Sequence, residues 1–155
     1  MYIGGFFMGF FNFIWFILIG WWEALAHLIL AGLFAITIVG IPIAKSMFQF
    51  AKLMAFPFGK EIIKETDLKG SANVSLIRKI FGTLVNIIWL PFGIIFAVCY
   101  FLSALAAFVT IVGIPVGVVY VRSAAFIIWP IGAKCVSKKQ AYASAVANEL
   151  ERRNK

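Results

Sequence analysis

The hexapeptide TIVGIP occurs twice in this chain of 155 residues, at residues 37–42 and again at residues 110–115. Each occurrence places a glycine and a proline inside a long apolar stretch. Proline fits the first turn of a helix, where its missing N–H costs little, but it kinks a helix interior. Glycine makes a sharp bend less costly. Each TIVGIP therefore marks either a break between two helices or a kink within one helix.

Matching landmarks lie on both sides of the two hexapeptides. NFIW at residues 12–15 corresponds to NIIW at residues 86–89, and FPFG at residues 56–59 corresponds to WPIG at residues 129–132. The TIVGIP and PxG landmarks share an offset of 73 residues, and the NxIW landmark differs from that offset by one. Three ordered landmarks at nearly constant spacing predict an internal duplication, with copies at residues 12–59 and 86–132.

The composition predicts a membrane protein. Hydrophobic residues make up 63% of the chain and charged residues 13%, about half the charged fraction of a soluble domain. A helix that crosses the hydrocarbon core needs about 20 apolar residues. We therefore predict an all-α polytopic fold with about four transmembrane helices, at residues 5–22, 23–44, 84–102 and 104–122.

Charge predicts the topology. The formal net charge is +8, and basic residues follow each apolar block, which places both following segments in the cytoplasm. Each copy then crosses the membrane an even number of times, so the repeats are parallel. The alternative is one long tilted helix per copy as far as TIVG, with a shorter segment starting at the proline.

This topology divides the chain into four segments: a first membrane repeat at residues 1–59, a basic cytoplasmic linker at 60–83, a second membrane repeat at 84–133 and a cytoplasmic tail helix at 134–155. After the first proline, Lys45, Gln49 and Lys52 share one helix face, opposite a mainly apolar face that includes Phe48. That pattern predicts an interfacial amphipathic helix. In the tail, Ser137 and Gln140 match a capping box, which predicts a helix start.

The landmarks together resemble a known family. GWWEALAHLILAG at residues 20–32, the two TIVGIP motifs, and FPFG with WPIG are similar in order and spacing to the YccF-domain family of small bacterial inner-membrane proteins. The resemblance extends over residues 12–132. It implies a multi-pass inner-membrane protein with a cytoplasmic C-terminus, and it implies no catalytic residues.

Glu23 and His27 are the only acidic, basic or histidine side chains between residues 2 and 44. They are four residues apart and so share one face of a helix. Ionisable groups inside a span usually face a bundle interior or a water path, which makes this pair a candidate proton relay, gate or ion site. The structural alternative places Glu23 in an aromatic belt beside Trp21 and Trp22, with His27 hydrogen-bonded to a neighbouring helix.

The repeated polar residues are further pore or gating candidates, for which a structural role is favoured. Amides can bond between helices, and threonine hydroxyls can satisfy carbonyls freed by a bend. These candidates are Asn12, Asn86, Thr37, Thr110, Gly40, Gly113, Pro42 and Pro115.

Three basic residues within or beside the apolar blocks, Lys45, Lys52 and Arg122, are candidates for binding anions or lipid headgroups. We predict an oligomeric channel or permease for a small ion or solute, with a weak preference for anions. The alternative is a non-transporting scaffold or accessory subunit that binds lipid or a protein through its basic cytoplasmic face. The expected partners are membrane lipid and further copies of the chain.

Other function classes are not predicted. The basic residues flank apolar blocks without a recognition motif, so nucleic-acid binding is not expected. A single histidine and few carboxylates argue against an enzyme. Two cysteines and one histidine supply too few ligands for a metal site, and no cofactor is predicted.

Overall fold

Most of the chain is α-helical. The computed structural model describes residues 3–69, 74–111 and 113–153, with side chains described within residues 5–68, 74–111 and 113–153. In chain order the elements are α1 (Ile3–Trp15), a π-helical turn (Phe16–Gly20), α2 (Trp21–Ala35), α3 (Gly40–Ala55), β1 (Lys60–Lys64), α4 (Glu65–Lys69), α5 (Leu76–Phe108), α6 (Ile114–Ile127), β2 (Ala133–Ser137) and α7 (Lys138–Arg153). Contacts divide these elements into two units, Met1–Ile80 with Gly132–Lys155, and Phe81–Ile131.

Two helices are long and apolar enough to cross a membrane. They are Gly5–Ala35, which runs from α1 through the π-helical turn into α2, and Leu76–Phe108, and Ile114–Ile127 is a shorter apolar helix. The predicted span boundaries at residues 22–23 and 102–104 are therefore wrong, because the helix continues through both. Neither boundary contains a glycine or a proline, and Ser103 donates its hydroxyl to the Cys99 carbonyl of the same helix at 2.9 Å.

Both TIVGIP motifs are breaks between helices. The first lies between the end of α2 at Ala35 and the start of α3 at Gly40, and the second lies between α5 and α6. Pro115 stands in the first turn of α6, where its missing N–H has no helical partner to lose. The structure thus has the alternative arrangement, in which a long helix is followed by a shorter one that begins at Gly-Ile-Pro.

Helix α3 returns antiparallel along α2 and closes the first hairpin. Its buried side chains include Met47, Phe50 and Met54, each fully shielded from the surface. The predicted apolar face is thus used to pack against α2. Phe48 was assigned to the wrong face, since it is exposed and lies 4.7 Å below the Lys52 ammonium.

The π-helical turn accounts for the one-residue difference between the landmark offsets. Trp15 and Gly20 are five residues apart, whereas Trp89 and Gly93 are four apart. In the turn, the Trp21 N–H bonds to the carbonyl of Phe16, five residues earlier, which accommodates one extra residue. The second long helix instead carries Pro91 in this region. Both helices therefore interrupt the normal hydrogen-bond ladder near the same landmark.

A two-stranded antiparallel ribbon, which the sequence did not predict, follows the two hairpins. Strand β1 pairs with β2 in a register that sets Lys60 opposite Ser137 and Ile62 opposite Cys135. Each strand is entered through a glycine with positive φ, +88° at Gly59 and +92° at Gly132, a conformation that residues with a side chain rarely adopt. The residues assigned to a basic linker at 60–83 contain β1, α4 and the first turns of α5.

The tail helix α7 begins as predicted and packs on the ribbon side of the first unit. The Gln140 N–H donates to the Ser137 hydroxyl, and the Ser137 N–H donates to the Gln140 side-chain oxygen, both at 3.3 Å, which confirms the capping box. The Asn148 amide donates to the Asp67 carbonyl of α4 at 2.5 Å. Helix α7 is therefore docked against α4 and is not a bare solvated end.

Candidate functional site

The base of the first hairpin is closed by two side chains from α1. The Asn12 amide is paired with Phe58 twice, donating to its carbonyl at 2.9 Å and accepting from its N–H at 3.0 Å. The Trp15 indole N–H donates to the Met54 carbonyl at 2.6 Å. Met54 lies near the end of α3, where carbonyls have no intrahelical partner. We call these residues the base latch of the hairpin.

The second hairpin has the same base latch. The Asn86 amide donates to the Ile131 carbonyl at 3.1 Å and accepts from the Ile131 N–H at 3.0 Å. The Trp89 indole donates to the Ile127 carbonyl at 2.8 Å. Asn86 is buried, so its polar atoms need these partners. The NxIW and PxG landmarks therefore recur because they are the two sides of one latch.

Each TIVGIP turn is closed by its threonine. The Thr37 hydroxyl donates to the Phe34 carbonyl at 3.3 Å and accepts from the Gly40 N–H at 3.0 Å. Thr110 makes the same pair of bonds, to the Ala107 carbonyl at 3.3 Å and from the Gly113 N–H at 3.0 Å. The hydroxyls thus serve the backbone of their own turns, as the structural alternative for these threonines expects.

The glycines are required by close approach at the same turns. A Cβ atom on Gly40 would overlap the Phe34 carbonyl oxygen, and one on Gly113 would overlap the Ala107 carbonyl oxygen. Pro42 and Pro115 follow two residues later and carry no N–H that would need a partner in the first helical turn. The Gly-Ile-Pro sequence therefore lets two helices meet at a tight and fully bonded turn.

His27 is buried within the first hairpin. Its Nδ1 lies 2.7 Å from the Glu23 carbonyl oxygen, and because that oxygen can only accept, Nδ1 carries the proton. The imidazole stacks on Phe50 of α3, with ring centroids 4.9 Å apart and an interplanar angle of 19°. The acceptor in this hydrogen bond is the backbone carbonyl of Glu23 and not its side-chain carboxylate. Trp21 and Trp22 beside it are exposed.

Two lysines meet at the C-terminal end of α3. The Lys60 ammonium donates to the Lys52 carbonyl at 2.8 Å, which caps the end of the helix. The Lys52 ammonium lies 4.7 Å from the centre of the Phe48 ring, and the Lys60 ammonium lies 5.4 Å from the centre of the Phe56 ring. Phe48 is 46% and Phe56 44% exposed. We call these four residues the lysine–phenylalanine cluster.

Sequence reasoning identified only part of this cluster. Lys52 was a candidate for binding anions or headgroups, whereas Lys60 was counted only among the basic residues of the linker. Because Lys60 follows the PxG landmark, which returns the chain to the hairpin base, its proximity to Lys52 was in principle predictable. The other basic candidates are exposed, Lys45 on α3 and Arg122 on α6 in the other unit.

A shallow cleft of 590 Å³ lies where α7 meets α4 and β1. Its lining mixes Asp67 and Glu149 with Arg152 and Arg153, and Arg153 pairs with Glu149 at 3.7 Å. Over the described ranges, no group of three or more His, Cys, Asp or Glu side chains is arranged to hold a metal ion. The base latches and the turns are the features that recur in both hairpins. The lysine–phenylalanine cluster adds two positive charges at the base of the first hairpin.

Comparison with known proteins gives one family. The profile of the inner membrane component domain YccF matches the chain twice, at residues 10–60 and 84–133. The chain is 31% identical over 142 residues to the inner membrane protein YccF of Escherichia coli (strain K12), covering 91% of this chain and 95% of that protein. The YccF protein of Shigella flexneri matches at the same identity and coverage. No solved structure matches the chain significantly.

The matched ranges contain both base latches and both TIVGIP turns, so the family profile and the hydrogen-bonded landmarks describe the same residues. With more than half of its length matched by the profile, the chain belongs to the YccF family of inner membrane proteins.

Proposed function

We propose that the protein is a non-transporting membrane scaffold or accessory subunit that binds anionic phospholipid headgroups at the ribbon side of its hairpins. One observation carries this proposal: the lysine–phenylalanine cluster presents two ammonium groups and two exposed rings at the hairpin base. Lys60 is also the first residue of the charged ribbon. Aromatic rings and lysines of this kind are favoured at the membrane–water interface.

The polar residues that were candidates for a pore form hydrogen bonds to backbone groups, and this supports the same proposal. Asn12, Asn86, Thr37 and Thr110 each bond to the backbone of their own hairpin. The His27 ring is buried against Phe50. A residue that lines a water path needs polar atoms directed into that path, whereas these atoms close the hairpins.

The topology belongs to the proposal as well. Basic residues dominate the ribbon side, with Lys60, Lys64 and Lys134 on the strands and Lys138 at the start of α7. The positive-inside tendency places this side in the cytoplasm, where anionic lipids give the leaflet a negative surface potential. We infer a multi-pass protein with the ribbon and the C-terminal helix in the cytoplasm.

We also infer that the two hairpins are copies of one ancestral unit. The two profile matches support this inference, and so do the base latches, turns and positive-φ glycines at nearly constant spacing. The copies differ in charge, since Ala125 and Ala133 stand 73 residues after Lys52 and Lys60. The lysine–phenylalanine cluster is therefore a feature of the first hairpin alone.

Neutralising the cluster should weaken anionic lipid binding. Each lysine near an anionic surface contributes about 1 kcal/mol, so the double substitution Lys52→Gln with Lys60→Gln should reduce affinity for phosphatidylglycerol roughly tenfold or more. The measurement is the amount of phosphatidylglycerol retained by the purified protein, counted by native mass spectrometry during exchange into zwitterionic detergent.

Two controls separate charge at the cluster from charge elsewhere. Lys52→Arg with Lys60→Arg keeps both charges and should retain the lipid. Lys139→Gln removes an exposed charge from α7 and should leave retention unchanged. Equal loss in all three variants, or no loss in the double glutamine variant, would contradict a lipid site at the cluster.

An oligomeric channel is the second candidate, and one observation favours it. Lys45 and Arg122 are exposed on the shorter helices α3 and α6, and ionisable side chains at membrane depth commonly face a water-filled cavity. Four thin spans rarely enclose a pore alone, so this function requires several copies of the chain. Its substrate would be a small ion or solute, and the two positive charges favour an anion.

A further inference from the structure

The two TIVGIP turns are the most exposed apolar parts of the described structure. Ile36 and Ile38 are 81% and 84% exposed, and Val109 and Ile111 are 85% and 87% exposed. No acidic or basic side chain lies between Glu23 and Lys45 or between Lys79 and Arg122, and His27 is buried. A turn that emerges into water normally carries polar or charged residues. These turns instead expose isoleucine and valine.

The backbone N–H groups that lead into α3 are bonded within the first turn. The Gly40 N–H bonds to the Thr37 hydroxyl at 3.0 Å and to the Thr37 carbonyl at 3.1 Å. The Ile41 N–H bonds to the Thr37 carbonyl at 3.1 Å. The next residue is Pro42, which has no N–H. The first three residues of α3 therefore present no unbonded N–H, and exposed backbone donors are costly in hydrocarbon.

The second turn has the same design. The Gly113 N–H bonds to the Thr110 carbonyl and hydroxyl, both at 3.0 Å. The Ile114 N–H bonds to the Ile111 carbonyl at 3.3 Å, and Pro115 follows. Threonine caps and first-turn prolines also occur in helices that begin in water, so the inference depends on the exposed isoleucine and valine side chains of these turns.

The hairpin length agrees with a turn at the far edge of the bilayer. From the latch residue Asn12 to the end of α2 at Ala35, the helix rises about 35 Å at 1.5 Å per residue. From Asn86 to the end of α5 at Phe108, it rises about 33 Å. The hydrocarbon core is about 30 Å thick, and helices tilt by about 20° on average. A hairpin whose base lies at the charged ribbon therefore reaches the opposite interface and extends little further.

We propose that both TIVGIP turns remain embedded in the bilayer, covered by lipid hydrocarbon at the edge of the leaflet opposite the ribbon. Each hairpin enters from the ribbon side, turns inside the membrane and leaves on the same side. The turns then offer no polar surface to a partner on the opposite side. This inference depends on hairpin insertion and is independent of lipid binding by the lysine–phenylalanine cluster.

Spin labels at the turns test the proposal. In a background with Cys99 and Cys135 replaced by alanine, Ile38→Cys and Ile111→Cys are labelled with a nitroxide, and the protein is reconstituted into liposomes. Both side chains are exposed, so neither substitution removes packing. Power-saturation electron paramagnetic resonance then compares collisions with oxygen, which concentrates in hydrocarbon, and with a water-soluble nickel chelate.

We expect both turn labels to show high oxygen and low nickel accessibility. Tyr142→Cys on the exposed face of α7 should show the reverse, and Leu33→Cys, exposed on α2, should resemble the turns. High nickel accessibility at residues 38 and 111 would overturn the proposal by showing that the turns emerge into water. Low accessibility to both reagents would also overturn it, because protein rather than lipid would then cover the turns.

Discussion

Replacing Gly40 or Gly113 with alanine should cost about 3 kcal/mol or more of stability, the largest effect expected from adding one methyl group to this chain. The added Cβ would overlap a backbone carbonyl oxygen, at Phe34 for Gly40 and at Ala107 for Gly113. Backbone atoms at a tight turn cannot move aside as a flexible side chain can. We expect the affected hairpin to open, with loss of monodisperse protein and a markedly lower melting temperature in detergent.

Gly32 provides the matched control for this substitution. It lies in α2 of the first hairpin, and a Cβ atom at this position would meet nothing within 4 Å. Because alanine favours helix more than glycine does, Gly32→Ala should leave the melting temperature unchanged or raise it slightly. If Gly40→Ala and Gly113→Ala melt like Gly32→Ala, the close helix approach at the turns is wrong.

Replacing Asn12 or Asn86 with leucine should be the second most damaging change. Each amide holds both the N–H and the carbonyl of one residue, Phe58 or Ile131. Leucine fills a similar volume but leaves both groups without a partner, which costs about 1–3 kcal/mol for each group when fully buried and less for these part-buried groups. We therefore expect a loss of about 2–4 kcal/mol, measured as the shift in thermal unfolding of the protein in nanodiscs.

An asparagine whose hydrogen bond is exposed to solvent provides the control for the effect of removing an amide in general. Asn148 also bonds to a backbone carbonyl, that of Asp67, but at the surface of α7. Water can replace that bond, so Asn148→Leu should cost less than about 1 kcal/mol. Comparable losses at all three positions would mean that the base latches do not hold the hairpins closed.

The repeated landmarks in the sequence identified the residues that hold the hairpins together, but they did not predict the hydrogen bonds that these residues form. NxIW, TIVGIP and PxG were identified by repetition, and all three are hydrogen-bonding parts of the hairpins. The spacing did not reveal that Asn12 bonds to Phe58, because the partner is a backbone group with no sequence signal. Because these backbone partners could not be identified from the sequence, the pore hypothesis for Asn12, Asn86 and Thr37 depended only on the polarity of their side chains.

The span boundaries were mispredicted because apolar length does not show where a helix turns. The helix continues through Trp22 and Glu23, since neither residue disfavours helix strongly. It ends at Ala35, immediately before the TIVGIP turn, and the next helix begins at Gly40. The alternative reading, which placed the break at TIVG, used that chemistry and agrees with the structure.

The ribbon was missed because its strands are short and carry little alternation. KEIIK in β1 and AKCVS in β2 are five residues each, and two-stranded ribbons are weak in isolation. Their pairing depends on chain segments far apart in sequence and on the glycine carbonyls beside them. The Lys138 N–H donates to the Gly59 carbonyl at 3.0 Å, and the Glu65 N–H donates to the Gly132 carbonyl at 2.6 Å.

We propose a non-conducting membrane scaffold in which the polar residues close the hairpins. Ion flux through liposomes that contain the purified protein and anionic phospholipid tests it most directly, after a mass measurement in nanodiscs has given the number of copies. We expect the chloride, potassium and proton fluxes to equal those of empty liposomes, whatever number of copies the mass measurement gives. Flux above that level which falls in Arg122→Gln or Lys45→Gln would contradict the scaffold proposal and establish the channel.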